Sequence, residues 1–242
     1  MTKLSVNLNK VALLRNARAI GIPSVTKAAR ICLDAGAHGL TLHPRPDERH
    51  AKARDVYELA DILAASPDAE LNVEGNPFPE FMEIVRRVKP AQCTLVPDSP
   101  EAFTSDHGWN LAENGAHLVP IIEELKSLGI RVSLFLDPDC EQVERAAEIK
   151  ADRIELYTEP YAAAYHTGEM ETVFEQFALA AGKAQEVGLG VNAGHDLNLE
   201  NLGKFCSIPG LAEVSIGHAL IADALELGLF NAVRAYLKVI GR

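Results

Sequence analysis

Three histidines in this sequence each close a short apolar run: GLTLH ends in His43, GVNAGH in His195 and VSIGH in His218. Imidazole titrates near neutral pH, so a group of such rings suits repeated proton transfer. One strand-end histidine alone reads more simply as a packing residue bonded to a backbone carbonyl. Three at equivalent ends weaken that reading, because every buried ring needs its own polar partner. Glu74, in NVEGN, closes another apolar run. A carboxylate there is a candidate general base, and the plainer alternative is a structural ion pair with an arginine. The loop after His43 reads PRPDERH. Arg45 suits an anion, since a guanidinium fork matches phosphate oxygens, whereas Arg49 reads equally as a solvated charge. Of Arg15 and Arg18 in LLRNAR, one reads as a helix-surface charge.

Three histidines and a glutamate are also a ligand set for zinc or iron. The first apolar run lacks the HxH that opens the dense metal sites of barrel hydrolases, so a metal-free site is preferred. Gly194 and Gly217, each ahead of a helix start, suit a phosphate held by backbone N–H groups. The alternative is that both glycines only relieve crowding.

Side chains so far apart in sequence need a scaffold that gathers strand ends. The chain has 242 residues, 48% hydrophobic and 24% charged, enough for a substantial core. A net charge of −11 argues against a nucleic-acid or anionic-membrane surface. The four cysteines (Cys32, Cys93, Cys140, Cys206) form no close pair, which reads as a reduced set. MTKLSVNLNK carries no apolar signal core, and no run approaches the ~20 residues of a membrane span. A cytoplasmic location is the expectation.

Strand patterns fall at 4–8, 39–43, 71–74, 93–96, 130–136, 153–157, 189–193 and 214–217. Helical patterns alternate with them at 24–33, 54–65, 79–88, a stretch ending near Leu128, 139–149, 169–187, 199–205 and 220–240. The joins repeat: LDAGAHGLTL, KSLGIRVSLF and AQEVGLGVNA each close a helix with glycine just before a strand. Strict alternation predicts a parallel sheet, and eight units predict a single-domain (β/α)8 TIM barrel over 1–242. The rival is an open doubly wound sheet, but no GxGxxG follows the first strand. In a barrel, chemistry sits at the C-terminal strand ends. Those positions carry Asn7 and Lys10; His43, Arg45 and His50; Glu74; Thr104; Asp137; Glu155; Asn192 and His195; and Gly217 and His218. The opposite end carries mostly Gly, Ala, Asp and Lys, and this asymmetry argues for an enzyme.

SVNLNKVALLRNAR, GLTLHPRPDERH, LNVEGN, QCTLVPD, VSLFLD, IELYTEPYA, VNAGHDL and SIGHALI, taken in order, resemble the pyridoxine 5′-phosphate synthase family over almost the whole chain. The resemblance implies a barrel that condenses 1-deoxy-D-xylulose 5-phosphate with 3-amino-2-oxopropyl phosphate. The products are pyridoxine 5′-phosphate, inorganic phosphate and water. It implies no metal and no organic cofactor, and a homo-octamer built from dimers. It places general bases at His43 and Glu74 and a proton donor at His195. Ligands of the aminoketone phosphate fall on Asn7, Arg18, Asp196, Gly217 and His218. Ligands of the deoxyxylulose phosphate fall on Arg45, His50 and Thr104, with Asn9 and Lys10 after the first strand. Glu155 is a secondary candidate.

Many relatives carry Asp-His where this chain has Asn9-Lys10, and glycine where it has Asp196. An inward Asp196 carboxylate would repel a phosphate, so a backbone contact or an outward side chain is expected. The long loop after the fourth strand, with Thr104 and Trp109, is the candidate cover over the reaction. Two other readings stay open: a metal-dependent barrel hydrolase or aldolase, and a non-catalytic barrel that binds a phosphate ligand.

Overall fold

Each strand is a short run in which apolar residues alternate with polar ones, so one face suits a helical shell and the other does not. The computed structural model describes residues 1–99 and 104–241. It begins with β1 (Lys3–Asn7), α1 (Asn9–Asn16), α2 (Val25–Asp34), β2 (Gly39–Leu42), α3 (Ala53–Ala64) and β3 (Glu70–Gly75). Then come α4 (Pro79–Val88), β4 (Gln92–Leu95), α5 (Leu111–Ser127), β5 (Arg131–Leu136), α6 (Cys140–Glu148) and β6 (Arg153–Tyr157). The last part holds α7 (Glu159–Ala164), α8 (Met170–Glu186), β7 (Gly190–Gly194), α9 (Leu202–Phe205), β8 (Leu211–Ile216), α10 (His218–Leu227) and α11 (Leu229–Ile240). Every strand pairs in parallel with the next, and β8 pairs back to β1, closing the predicted eight-stranded barrel.

Three helices depart from the expectation. α1 is additional; it has no side-chain N-cap and a weak apolar stripe, and burial of Val11, Ala12 and Arg15 holds it. α7 is also additional and short, with proline in its first turn. The single terminal helix expected over 220–240 is two, because Gly228 takes φ 76° and breaks the ladder.

The outward strand residues form the main core. Leu4, Val6, Leu40, Leu42, Val73, Leu95, Leu134, Leu156, Val191 and Val214 are fully buried between sheet and helices. Tyr161, Phe177 and Phe205 stack nearby with ring centroids 5.1–6.2 Å apart. Truncating a buried aromatic of this kind to alanine costs about 3–5 kcal/mol. Most inward residues are polar and bond one another across strands; Phe135 and Tyr157 instead put rings on the cavity wall, and the buried Ser133 Oγ has no partner among the described residues. Ser5 Oγ lies 2.7 Å from Thr41 Oγ1, and Thr94 Oγ1 donates to Asn72 Oδ1 at 3.0 Å. Deeper in the barrel, Asn192 Nδ2 and Arg131 Nε both donate to Gln92 Oε1, at 3.2 and 2.9 Å. Gln92 Nε2 in turn donates to Glu213 Oε1 at 3.3 Å. The polar interior opens at the C-terminal strand ends into a cavity. No helix is long and apolar enough to cross a membrane among the described residues.

Candidate active site

At the β1–β3 side, three asparagines set the geometry. Asn9 opens α1, and its Oδ1 accepts the backbone N–H of His43 at 2.9 Å. Asn7 Oδ1 accepts the N–H of Asn9 at 2.9 Å, which turns its amide so that Nδ2 donates to Glu74 Oε2 at 3.4 Å. Asn72 Nδ2 and Ser215 Oγ reach Glu74 Oε1 at 3.3 and 3.5 Å. Glu74 is thus a buried carboxylate held by neutral donors, and the arginine ion pair considered from sequence is not what holds it.

Across the cavity, His195 and Asp196 both take left-handed backbone, with φ 87° and 56°. Such conformations are costly for residues with side chains and persist only when neighbours hold them. Thr158 does so: its Oγ1 lies 2.7 and 2.5 Å from the carbonyls of Gly194 and His195, which share its one proton. The His195 ring stands edge-on to Tyr157 and Phe135, at 5.2 and 5.9 Å between centroids. Gly194 is required by crowding, since a Cβ there would lie 2.5 Å from Glu155 Oε1.

The cavity of about 560 Å³ is lined by Asn7, Asn9, Lys10, His43, Arg45, Arg49, His50, Glu74, Thr104, Glu155, His195, Asp196, Gly217 and His218. All of the residues proposed from sequence therefore converge except Arg18, Asp137 and Asn192. Arg18 lies exposed in the turn after α1 and is not part of this wall. Asn192 sits deeper in the interior, bonded to Gln92 and Arg153, and Asp137 is likewise not on the wall. Gly217 precedes α10, whose first turn has no side-chain cap and opens on the cavity, the arrangement that suits an anion. Asp196 is exposed yet lines the cavity, so it sits at the open mouth rather than turned away from it.

The opposite rim is cationic. Arg45 is buried, and it donates to Asp98 Oδ2 at 2.8 Å and the Ser99 carbonyl at 3.0 Å. Ser105 Oγ also donates to Asp98, at 2.9 Å. Arg49 pairs with Asp47 at 2.5 Å while lining the cavity, so it is more than a solvated charge. His50 Nδ1 accepts the N–H of Ala51 at 2.9 Å, which places its own proton on Nε2. Asn16 Nδ2 donates to the carbonyls of Glu48, Arg49 and His50 at 3.1, 3.0 and 2.8 Å, stapling this loop to α1. Arg15, read from sequence as a possible surface charge, is buried and pairs with Asp55. Of the loop after β4, residues 100–103 lie outside the described residues. Trp109 is a fixed end of it, buried, with Nε1 donating to the Leu95 carbonyl at 2.9 Å.

Burial sets the charge states. It pushes His43 down to about 3, helped by the charges of Arg45 and His195, and pushes His50 down to about 3, helped by His43 and Arg45. His195 is lowered as well, chiefly by burial. Glu74 is raised by burial and by the nearby carboxylates of Glu155, Asp98 and Glu213. Glu155 is raised to about 8 by burial and Glu213. The cavity thus holds neutral imidazoles above carboxyls raised toward neutral pH, and in the ligand-free protein it is the carboxyls that exchange protons in that range. Among the described residues no group of three or more His, Cys, Asp or Glu side chains is arranged to hold a metal ion. Asp98, Ser105, Phe135, Tyr157, Glu159 and Ser215 also line the wall and were not singled out from sequence. VPD at the end of the fourth strand was the one readable signal, for Asp98.

Residues 4–242 match the family described as "Pyridoxal phosphate biosynthesis protein PdxJ". A pyridoxine 5′-phosphate synthase of Albidiferax ferrireducens is 55% identical, over 100% of this chain and 98% of that protein. The synthase of Porphyromonas gingivalis is 50% identical, over 98% of each chain. Among solved structures, phosphoribosyl anthranilate isomerase from Thermotoga maritima superposes with a TM-score of 0.63 at 14% identity, covering 100% of this chain and 99% of that one. That likeness is one of fold alone.

Proposed function

This chain belongs to the pyridoxal phosphate biosynthesis protein PdxJ family, enzymes of vitamin B6 biosynthesis, and on that premise we propose the reaction it catalyses. It condenses 1-deoxy-D-xylulose 5-phosphate with 3-amino-2-oxopropyl phosphate and releases pyridoxine 5′-phosphate, inorganic phosphate and water. Imine formation, ring closure and aromatisation each move protons and expel water or phosphate. The observation that supports this best is the carboxylate of Glu74, held only by neutral donors, beneath a ring of neutral imidazoles. In this proposal Glu74 and His43 remove protons and His195 returns them, without a metal or organic cofactor. Asn7, Asp196, Gly217 and His218 hold the aminoketone phosphate at the start of α10. Asn9, Lys10, Arg45, His50 and Thr104 hold the deoxyxylulose phosphate at the cationic rim. Holding both substrates in place contributes on the order of 7–11 kcal/mol against the bimolecular barrier.

Arg18 is assigned a ligand role by resemblance, and no contact among the described residues supports it. The same proposal includes a homo-oligomer, an octamer built from dimers. Its support is an apolar groove between α1 and α10 lined by Leu13, Leu14, Ile221 and Leu225, with Ile20, Ile22 and Phe230 also exposed. Four free cysteines and two phosphorylated substrates fit a cytoplasmic setting. The test is product formation from the two substrates, followed by fluorescence with and without chelator, alongside His195→Ala. Turnover that the chelator leaves intact and the substitution reduces is expected. Turnover abolished by the chelator would overturn the metal-free mechanism.

A further inference from the structure

Two buried carboxyls, Glu74 on β3 and Glu155 on β6, face the cavity floor and are joined by two neutral side chains. Thr94 Oγ1 lies 3.3 Å from Glu155 Oε2 and 3.0 Å from Asn72 Oδ1. Asn72 Nδ2 lies 3.3 Å from Glu74 Oε1. Two burials and the repulsion between the carboxyls disfavour two charges, so the pair keeps a proton at neutral pH. Which carboxyl carries it decides which one works as a base.

The Thr94 hydroxyl has a single proton and two acceptors within reach. With Glu155 protonated, the donors run one way: Glu155 to Thr94, Thr94 to Asn72, Asn72 to Glu74. With Glu74 protonated, the Asn72 amide would flip and the chain would run in reverse. The tie is broken outside the bridge. Asn7 is fixed by the backbone N–H of Asn9, so its Nδ2 donates to Glu74 whichever way Asn72 lies. Ser215 also reaches Glu74. Donors converge on Glu74, and an acceptor of several N–H and O–H groups is the better anion. We propose that Thr94 and Asn72 form a hydrogen-bonded bridge that holds the pair's proton on Glu155 and leaves Glu74 ionised and ready to accept one.

Thr94 and Asn72 are then positioning residues: they act on the substrates only through Glu74. Other charged and titratable groups around the pair are Asp98 after β4, Glu213 on β8 and Cys93 on β4, with His43, His195 and Arg45 on the cavity wall. Asp98 already has Arg45, and Glu213 faces Arg153 and Arg131. Both charges raise Glu74 and so oppose this placement of the proton, and these cations offset them.

The role of Glu74 rests on the proposed reaction, but the position of the proton does not. Two readouts therefore separate the claims. The first is the carboxylic-acid C=O band in the infrared spectrum of the ligand-free enzyme at neutral pH. A band lost in Glu155→Gln, shifted in Thr94→Val and returned in Thr94→Ser is expected; a band that Thr94→Val leaves unmoved overturns the bridge. The second is the pH profile of kcat/KM. With Asn72 released, Glu74 loses a donor, and the acidic limb moves up by about one pH unit, a roughly tenfold loss on that limb. Thr94→Ser restores it. A fall of equal size at every pH overturns the positioning role. Thr94→Ala carries both arms if the valine variant does not fold. If the wild type forms no product, the proposed reaction fails while the infrared arm still decides where the proton sits.

Discussion

Glu155→Gln should make this enzyme more stable, and only at neutral and alkaline pH. Glu155 is 3% exposed, and burial with the charge of Glu213 raises it from 4.5 to about 8. Below pH 4.5 the carboxyl is protonated in folded and unfolded chains alike, so it carries no penalty. Between 4.5 and about 8 the unfolded chain ionises freely while the folded chain must hold its proton. Stability is therefore lost as pH rises through that window, by about 1.4 kcal/mol per pH unit, to at most about 5 kcal/mol. Part of the rise comes from Glu213, which is itself raised and presses less when protonated. A net gain of about 2–4 kcal/mol at pH 8 is the working expectation. Glutamine fills the same space, and its amide donates to Thr94 as the protonated acid does. The assay is thermal unfolding followed by circular dichroism at pH 5 and pH 8. For a chain of this length, a melting-point gain of roughly 4–16 °C is expected at pH 8, falling to a fraction of that at pH 5. An equal gain at both pH values, or a loss at pH 8, would refute the account of a costly buried proton.

Three other outcomes follow from the geometry. His43 and His50, both pushed down to about 3, should show imidazole NMR resonances that stay flat from pH 5 to pH 8 in the ligand-free protein. Because the unfolded chain binds protons there that the folded chain does not, stability falls as pH drops from about 6.5 toward 3. His50→Gln should flatten that slope by up to about 1.4 kcal/mol per pH unit, and an unchanged slope in chemical denaturation would contradict it. Gly194→Ala places a Cβ 2.5 Å from Glu155 Oε1 and 3.2 Å from the Ser215 carbonyl. A cost of about 1–3 kcal/mol in denaturant unfolding and a severe loss of turnover are expected, and wild-type behaviour would show that the floor is loose. Arg15→Met removes the charge partner of the buried Asp55 and should cost about 3–5 kcal/mol, while adding Asp55→Leu should recover part of it, since Asp55 Oδ2 also accepts the Lys52 N–H that caps α3. A double variant no better than the single would sink the ion-pair account.

The barrel was readable because strands and helices alternate and three joins, at Gly36, Gly129 and Gly188, close a helix on glycine just before a strand. The strand ends then told where to look, and His43, Glu74, His195, Gly217 and His218 do line one mouth. What escaped was set by long-range packing. α1 has no side-chain cap and a weak apolar stripe, so nothing local announced it. The Arg45–Asp98 pair spans 53 residues, and no spacing rule ties an arginine after the second strand to an aspartate after the fourth. Asn16 drew no reading from sequence, yet its amide holds three carbonyls of the loop that presents His50. Arg18 shows the opposite failure: a motif position carried it into the ligand set, and the fold leaves it outside the cavity.

The alternation inside the strands carries the deeper lesson. Barrels of this kind are ordinarily filled by layers of branched apolar side chains. Here Ser5, Thr41, Asn72, Thr94, Glu155, Asn192 and Ser215 alternate with apolar residues that face the helices, and all of them are buried. A buried polar group stabilises nothing unless it is paired, so this interior adds little to the fold beyond satisfying itself. The stability must come from the outer layer, where fully buried Leu, Val and Ile side chains meet the helical shell. That division frees the interior to place acids where proton chemistry needs them. It also locates the tension: Glu74 and Glu155 are useful because burial makes their charge expensive, and the same burial opposes folding. A variant that relieves it should gain stability at the site where the proposed chemistry has most to lose.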